Sequence, residues 1–218
     1  MNNFKERDFF HEGMREFQDL FDGRRTAEAI EKNRKHYEFW DDEKELIKNS
    51  KFFFIASSWN GYIDCNIKSG DPGFVKIVEK GIIEYPEYDG NSMYRTAGNI
   101  SKNPNVALLF LNFDGKSRRI RINGQATIHH DKKSIEDHFG AKFVVRINCE
   151  IYPNCPRYIP NLEKDESSAY VPRKGKGIPP APEWKERDYK KIFYQRITLT
   201  KIEINCSFRV PKIDSCRI

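Results

Sequence analysis

The sequence predicts a mainly β protein of the α+β kind, an antiparallel barrel fronted by helices. Three observations lead there. The first fifty residues space their apolar side chains by three and four; from Lys51 onward short apolar runs take over; and glycine-bearing turns separate those runs. Short strands joined this way favour an antiparallel barrel over alternating βαβ units.

Phe10, Met14, Phe17 and Phe21 fall on one helical face, which is expected to pack against a core. A second helix begins at Thr26, and Asp41 or Asp42 can cap a third over 43–47. Residues 52–56 are apolar without interruption, as in a strand covered on both sides. Asn60-Gly61 is a two-residue hairpin turn leading into 62–65. Further strands are expected at 74–78, 82–85, 106–113, 118–128, 142–151 and 194–204, with turns at Glu79-Lys80-Gly81, Asp89-Gly90-Asn91 and Asp114-Gly115. The run 106–111 is apolar at every position, which suits a barrel strand lined inside and covered outside. Residues 131–139 read as one short helix. Pro172, Pro179, Pro180 and Pro182 mark a loop or arm. The chain thus divides into a helical segment packing on the barrel (1–50), the barrel core (51–160), a Pro/Lys/Gly-rich arm (161–192) and a C-terminal strand and tail (193–218), all of one domain.

With 218 residues the chain can bury one substantial core. Only 38% of residues are hydrophobic, but 16 Phe and 10 Tyr argue for a small aromatic core rather than disorder. No apolar run is long enough for a membrane helix, the start lacks a signal core, and five scattered cysteines suggest no disulfide framework. A cytoplasmic location is the expectation. A zinc site from Cys149, Cys155, His129 and His130 fits neither the usual spacing nor the ligand count, so no metal is expected. Residues 1–50 carry 10 basic and 13 acidic side chains, leaving +9 on the rest of a chain whose net charge is +6. A basic body suits an anionic ligand, either a pocketed phosphate or, with less support, nucleic acid. Rossmann, P-loop, zincin and nucleophile-elbow signatures are missing.

Three segments can carry chemistry. In Lys68-Ser69-Gly70-Asp71-Pro72-Gly73-Phe74-Val75-Lys76, glycines free backbone amides to face a ligand, and Lys68 and Lys76 offer charge to a phosphate; a plain turn with solvated lysines is the alternative. The segment from Tyr88 to Ile100 concentrates donors, among them Asn91, Tyr94, Arg95 and Asn99, around a turn entering a short helix, which suits a phosphate or a heterocycle edge. In 117–124, alternation puts Arg119, Arg121 and Asn123 on one strand face, either an anion site or a solvated edge.

Taken in order, Phe53-Phe54-Ile55-Ala56, Gly70-Asp71-Pro72-Gly73-Phe74-Val75, Tyr88-Asp89-Gly90-Asn91, Gly98-Asn99-Ile100, Asn103-Pro104-Asn105-Val106-Ala107-Leu108-Leu109-Phe110, Arg119-Ile120-Arg121-Ile122-Asn123-Gly124-Gln125-Ala126 and Asn154-Cys155-Pro156-Arg157-Tyr158-Ile159 resemble the pyridoxamine 5′-phosphate oxidase-related flavoproteins. The resemblance covers about residues 10–190 and implies an FMN-binding split β-barrel that forms a homodimer with FMN at the subunit interface. It implies Lys76 at the FMN phosphate, Asn91, Tyr94, Arg95 and Asn99 as donors, and the strand of Arg119 and Arg121 along the flavin ring. A positive group there would favour the reduced, anionic flavin. Where the oxidase has a Ser-Arg-Lys triplet this chain reads Tyr94-Arg95-Thr96, and its end, Lys212-Ile213-Asp214-Ser215-Cys216-Arg217-Ile218, lacks the oxidase's Arg-Leu-Ala-Pro-like tail. Both departures point away from pyridoxamine phosphate as substrate. The expectation is an FMN-dependent oxidoreductase of another, unknown substrate, with a non-catalytic carrier of flavin or another planar cofactor as the alternative. No side chain presents itself as catalytic.

Overall fold

The computed structural model of the protein describes residues 8–88, 92–114, 118–152 and 157–163. The expected turn at 89–91 with Asn91, Cys155, nearly all of the arm and the strand at 194–204 lie outside the described residues. The elements are α1 (Glu12–Leu20), α2 (Arg24–Arg34), α3 (Asp41–Asn49), β1 (Phe52–Trp59), β2 (Tyr62–Ser69), β3 (Lys76–Glu79), β4 (Ile82–Glu87), α4 (Arg95–Lys102), β5 (Asn105–Leu111), β6 (Arg119–His129), α5 (Lys132–Glu136) and β7 (Phe143–Tyr152).

Among the described residues, seven strands join one antiparallel sheet in the order β2-β1-β5-β6-β7-β4-β3. The edge strands β2 and β3 do not pair with each other, so the barrel is split. The sheet still rolls up: Phe53 on β1 meets Tyr85 on β4 edge-on at 5.1 Å, and Lys68 on β2 reaches Glu87 on β4 at 2.5 Å. Asn60 (φ 49°) and Gly61 (φ 82°) make the expected hairpin turn, both in the left-handed region that matches strand twist. That turn fixes the register Trp59↔Tyr62 through Phe52↔Ser69.

Inside the roll, β1 buries Phe53 and Ile55, β4 Ile83 and Tyr85, β5 Leu108 and Phe110, and β7 Val145 and Ile147. Each such side chain contributes about 1.5–3 kcal/mol through burial. Helix α3 closes one side with Leu46 and Ile47, beside Phe39. Its start is Trp40 rather than an aspartate. The Trp40 N–H donates to Glu43 at 3.0 Å, while the Asp41 carboxylate is engaged by Lys44 at 2.8 Å. The stretch before α3 is tied to β7 by reciprocal backbone bonds between His36 and Ile151. There the chain crosses Gly81 (φ 69°) so closely that a Cβ on that glycine would stand 1.9 Å from the Tyr37 carbonyl oxygen.

Four further expectations change. The segment before β3 stays in a turn, with Phe74 N–H on the Asp71 carbonyl at 2.9 Å, so the strand starts at Lys76. The helix after β6 is shorter than 131–139, with Asp131 capping it through the Ser134 N–H at 3.0 Å. The apolar runs 52–56 and 106–111 are covered on one side only: Phe52, Phe54 and Leu109 are half-exposed and Ala107 is exposed. Finally, α1 forms its apolar face but buries none of it; Phe17 is 67% and Phe21 71% exposed. Among the described residues no helix is long and apolar enough to cross a membrane.

Candidate functional site

The inner face of β2 is polar. Asp64, Asn66 and Lys68 point into the roll, each half-buried, directly opposite Ser57, Ile55 and Phe53 of β1. Helix α4 lies over them because its side chains bond back to both strands. Arg95 Nε donates to Asp64 at 2.8 Å, Asn66 donates to the Thr96 hydroxyl at 3.3 Å, and Thr96 donates to Asp64 at 3.4 Å. Asn99 donates to the Ser57 hydroxyl at 3.1 Å and Asn103 to the Ser58 carbonyl at 3.0 Å. The Asn-Pro pair thus ends α4 and hands the chain to β5.

The helix is entered through a strained turn. Ser92 (φ 61°) and Tyr94 (φ 49°) both adopt the left-handed conformation that non-glycine residues rarely take. Such strain clusters at ligand sites. The first amides of α4 emerge there, and the helix dipole favours an anion. Between this turn and the barrel lies a cleft of about 80 Å³ whose lining includes Asn66, Lys68, Glu87, Tyr94, Arg95 and Thr96. It has room for a phosphate-sized group and opens to solvent.

Its two cations are held by carboxylates. Lys68 pairs with Glu87 at 2.5 Å, their side chains 10% and 19% exposed. Arg95 pairs with Asp64 through Nε, and its side chain is 57% exposed, so its terminal nitrogens face outward. A third cation, Lys142, donates to the Tyr94 hydroxyl at 3.3 Å.

Of the residues the sequence proposes, Lys68, Tyr94 and Arg95 therefore meet in one cleft, and Asn99 anchors its helix. Asn91 lies outside the described residues. Lys76, Arg119 and Arg121 do not line the cleft. Lys76 sits on β3 with its ammonium on the Asp137 carbonyl. Arg119 and Arg121 stand on the outer face of β6, as alternation predicts, with the Arg121 guanidinium 5.9 Å from the Tyr152 ring centre. The sheet separates them from the cleft in the same chain. Near Lys76, buried Glu84 accepts from Arg146 at 2.6 Å and faces His138 Nε2 at 3.6 Å. Burial first, then the charge of Lys76, lowers the His138 pKa against the pull of Glu84.

Sequence reasoning missed Asp64, Asn66, Glu87, Thr96 and Lys142. Alternation along β2 was available as a signal, but it would have turned the polar residues outward. Cys149 is not a candidate nucleophile, since burial pushes its thiol far up and keeps it protonated. Among the described residues no group of His, Cys, Asp or Glu could hold a metal ion.

A family model described as pyridoxamine 5′-phosphate oxidase matches residues 39–162, more than half of the chain. No curated protein matches. Among solved structures, a protein from Lactobacillus delbrueckii named for pyridoxamine 5′-phosphate oxidase is 19% identical, covering 55% of this chain and 99% of its own, with a TM-score of 0.44. HupZ from Group A Streptococcus is 18% identical over 60% of this chain and 98% of its own, with a TM-score of 0.41. An FMN-binding protein from Syntrophomonas wolfei is 13% identical over 65% and 93%, with a TM-score of 0.40.

Proposed function

The chain belongs to the pyridoxamine 5′-phosphate oxidase family, and from that premise we propose that it is an FMN-dependent oxidoreductase whose substrate is not pyridoxamine phosphate. The observation that carries this reading is the polar inner face of β2 held under the strained start of α4. The donor set fits the phosphate end of FMN: Lys68 and Lys142 supply ammonium groups, Arg95 its outward guanidinium nitrogens, Tyr94 a hydroxyl and α4 its first amides. Asn91 is proposed as a further donor.

Each neighbouring residue has a mechanical part. Glu87 and Asp64 hold the two cations in place, so that little side-chain ordering is left for binding. Asn99 and Asn103 fix α4 on β1. When bound, FMN supplies hydride or one-electron chemistry, and the protein supplies orientation and surroundings. The flavin ring is proposed to lie at the open side of the cleft. In the proposed homodimer a second protomer covers that ring, and Arg119, Arg121 and Lys76 reach the ligand only from there.

The test is the colour and turnover of the purified full chain. We expect bound FMN, absorbing at about 450 nm as flavins do, that NAD(P)H reduces and an acceptor reoxidises repeatedly. A colourless protein that FMN cannot reconstitute rejects the proposal. Stable FMN binding without turnover leaves a non-catalytic flavin carrier.

A further inference from the structure

The barrel is apolar on part of its outside. On β2 the outward residues are Ile63 (77% exposed), Cys65 and Ile67 (51% exposed). Register carries this surface inward across the sheet. One row runs Ile67, Phe54, Leu109 and ends on Arg121; the next runs Cys65, Ala56, Ala107 and ends on Asn123. Ala107 is exposed although β5 is hydrogen-bonded on both sides, so nothing among the described residues covers this face. The surface is a shallow floor of small residues between bulkier ones, with arginines along one side.

The chain carries a second open surface of the opposite shape. Helix α1 presents Met14 (44% exposed), Phe17 (67%), Leu20 (63%) and Phe21 (71%) as a ridge. In its own protomer α1 packs on α2, and Phe9, just before it, meets Tyr152. Two acidic residues of α1, Glu12 and Glu16, are exposed and make no ion pair among the described residues. Ridge and floor are therefore complementary in shape and in charge.

We propose that α1 of each protomer lies across the β2–β1–β5 floor of a second copy of this chain. The contact is two-fold and reciprocal, with Glu12 and Glu16 set near the partner's Arg121. Area supports a second copy: the six large side chains open on the two surfaces are 44–77% exposed and leave roughly 700 Å² uncovered, at about 150–250 Å² for a whole large residue. A stable interface takes about 800 Å² from each partner, and the half-exposed Phe54 and Leu109 on the floor add to the area available. A two-fold contact needs one chain to carry both halves of the match, as this one does. The inference rests on the dimeric part of the reading above and shares Arg121 with it.

The experiment uses the full chain. Sedimentation equilibrium is expected to give a dimer in which Cys65, followed by mass spectrometry, reacts slowly with maleimide. Phe17→Asp, at an exposed position that leaves folding intact by circular dichroism, is expected to raise the dimer dissociation constant at least about tenfold and to expose Cys65. Phe17→Cys is expected to form a disulfide-linked dimer on mild oxidation, lost when Cys65→Ser is added. A monomer with reactive Cys65 overturns this contact and the dimer together. A monomer with protected Cys65 means that the floor is covered within one chain, and overturns it too. A dimer that is indifferent to Phe17→Asp, and in which Phe17→Cys forms no disulfide with Cys65, overturns this contact alone and leaves the dimeric reading in place.

Discussion

Strands β1 and β2 are joined by a two-residue turn and paired residue for residue, yet their inner faces differ in kind. Phe53 and Ile55 of β1 are fully buried among Tyr85 and Phe110, as a half-covered strand requires. Opposite them β2 turns Lys68 and Asn66 inward and leaves Ile67 and Cys65 outside. A slip of one residue would exchange the two faces of β2 and satisfy hydrophobic patterning. The Asn60-Gly61 turn prevents it. Burying polar groups costs free energy unless partners are supplied, and here Glu87, Thr96 and Arg95 supply them. The lesson is that β1 serves the fold alone, while β2 carries a polar face inside, where the proposed ligand would sit, and an apolar face outside, where the proposed second protomer would sit.

Substitutions can break this contrast. Phe53→Ala is expected to cost the most, about 3–5 kcal/mol, read as a lower denaturation midpoint in urea. On the β2 side, Glu87→Ala strands a mostly buried ammonium and is expected to cost about 3 kcal/mol. The double replacement Lys68→Met with Glu87→Leu removes both charges and is expected to restore stability to within about 1 kcal/mol of the parent. FMN binding stays impaired. If the double variant unfolds as readily as Glu87→Ala, the pair serves stability and the contrast between strands fails. Arg95→Ala removes one partner of the Asp64 carboxylate, which is only 14% exposed and keeps the Thr96 hydroxyl, so stability is expected to fall by about 1–2 kcal/mol. Its FMN affinity should fall about tenfold, or 1.4 kcal/mol, by fluorescence titration.

The smallest effect concerns the polar cluster on the far side of β4. The folded state holds the His138 pKa below its ordinary value, while the unfolded chain takes up the proton at about pH 6.5. Stability from this group is thus fully present above that pH and lost as pH falls below it. Urea midpoints between pH 8 and 5 are expected to decline on the acid side, and His138→Gln is expected to flatten that decline. An unchanged slope would assign it to another group.

Much of the framework was legible in the sequence because it is local. The Asn60-Gly61 turn, the alternation of Arg119 and Arg121 against Ile120 and Ile122, and the donor-rich entry to α4 each follow from a few adjacent residues. Pairing was not legible, since β5 lies between β1 and β6 and β4 joins β7 through contacts far apart in the chain. The cleft needed that information. Lys68 could be named as a cation, but Glu87, nineteen residues on, becomes its partner only when the sheet rolls. The inverted orientation of β2 defeats periodicity altogether, because period two tells that faces differ and not which one is inside. For the same reason the ridge on α1 could be recognised as a face but not as an open one.

The most direct test of the account compares FMN with riboflavin, which lacks the phosphate, on the parent chain and on Arg95→Ala. If the β2–α4 cleft holds the phosphate, the parent prefers FMN, and Arg95→Ala loses much of that preference while its affinity for riboflavin barely changes. Equal affinity of the parent for both flavins, or a preference that survives Arg95→Ala intact, would contradict it.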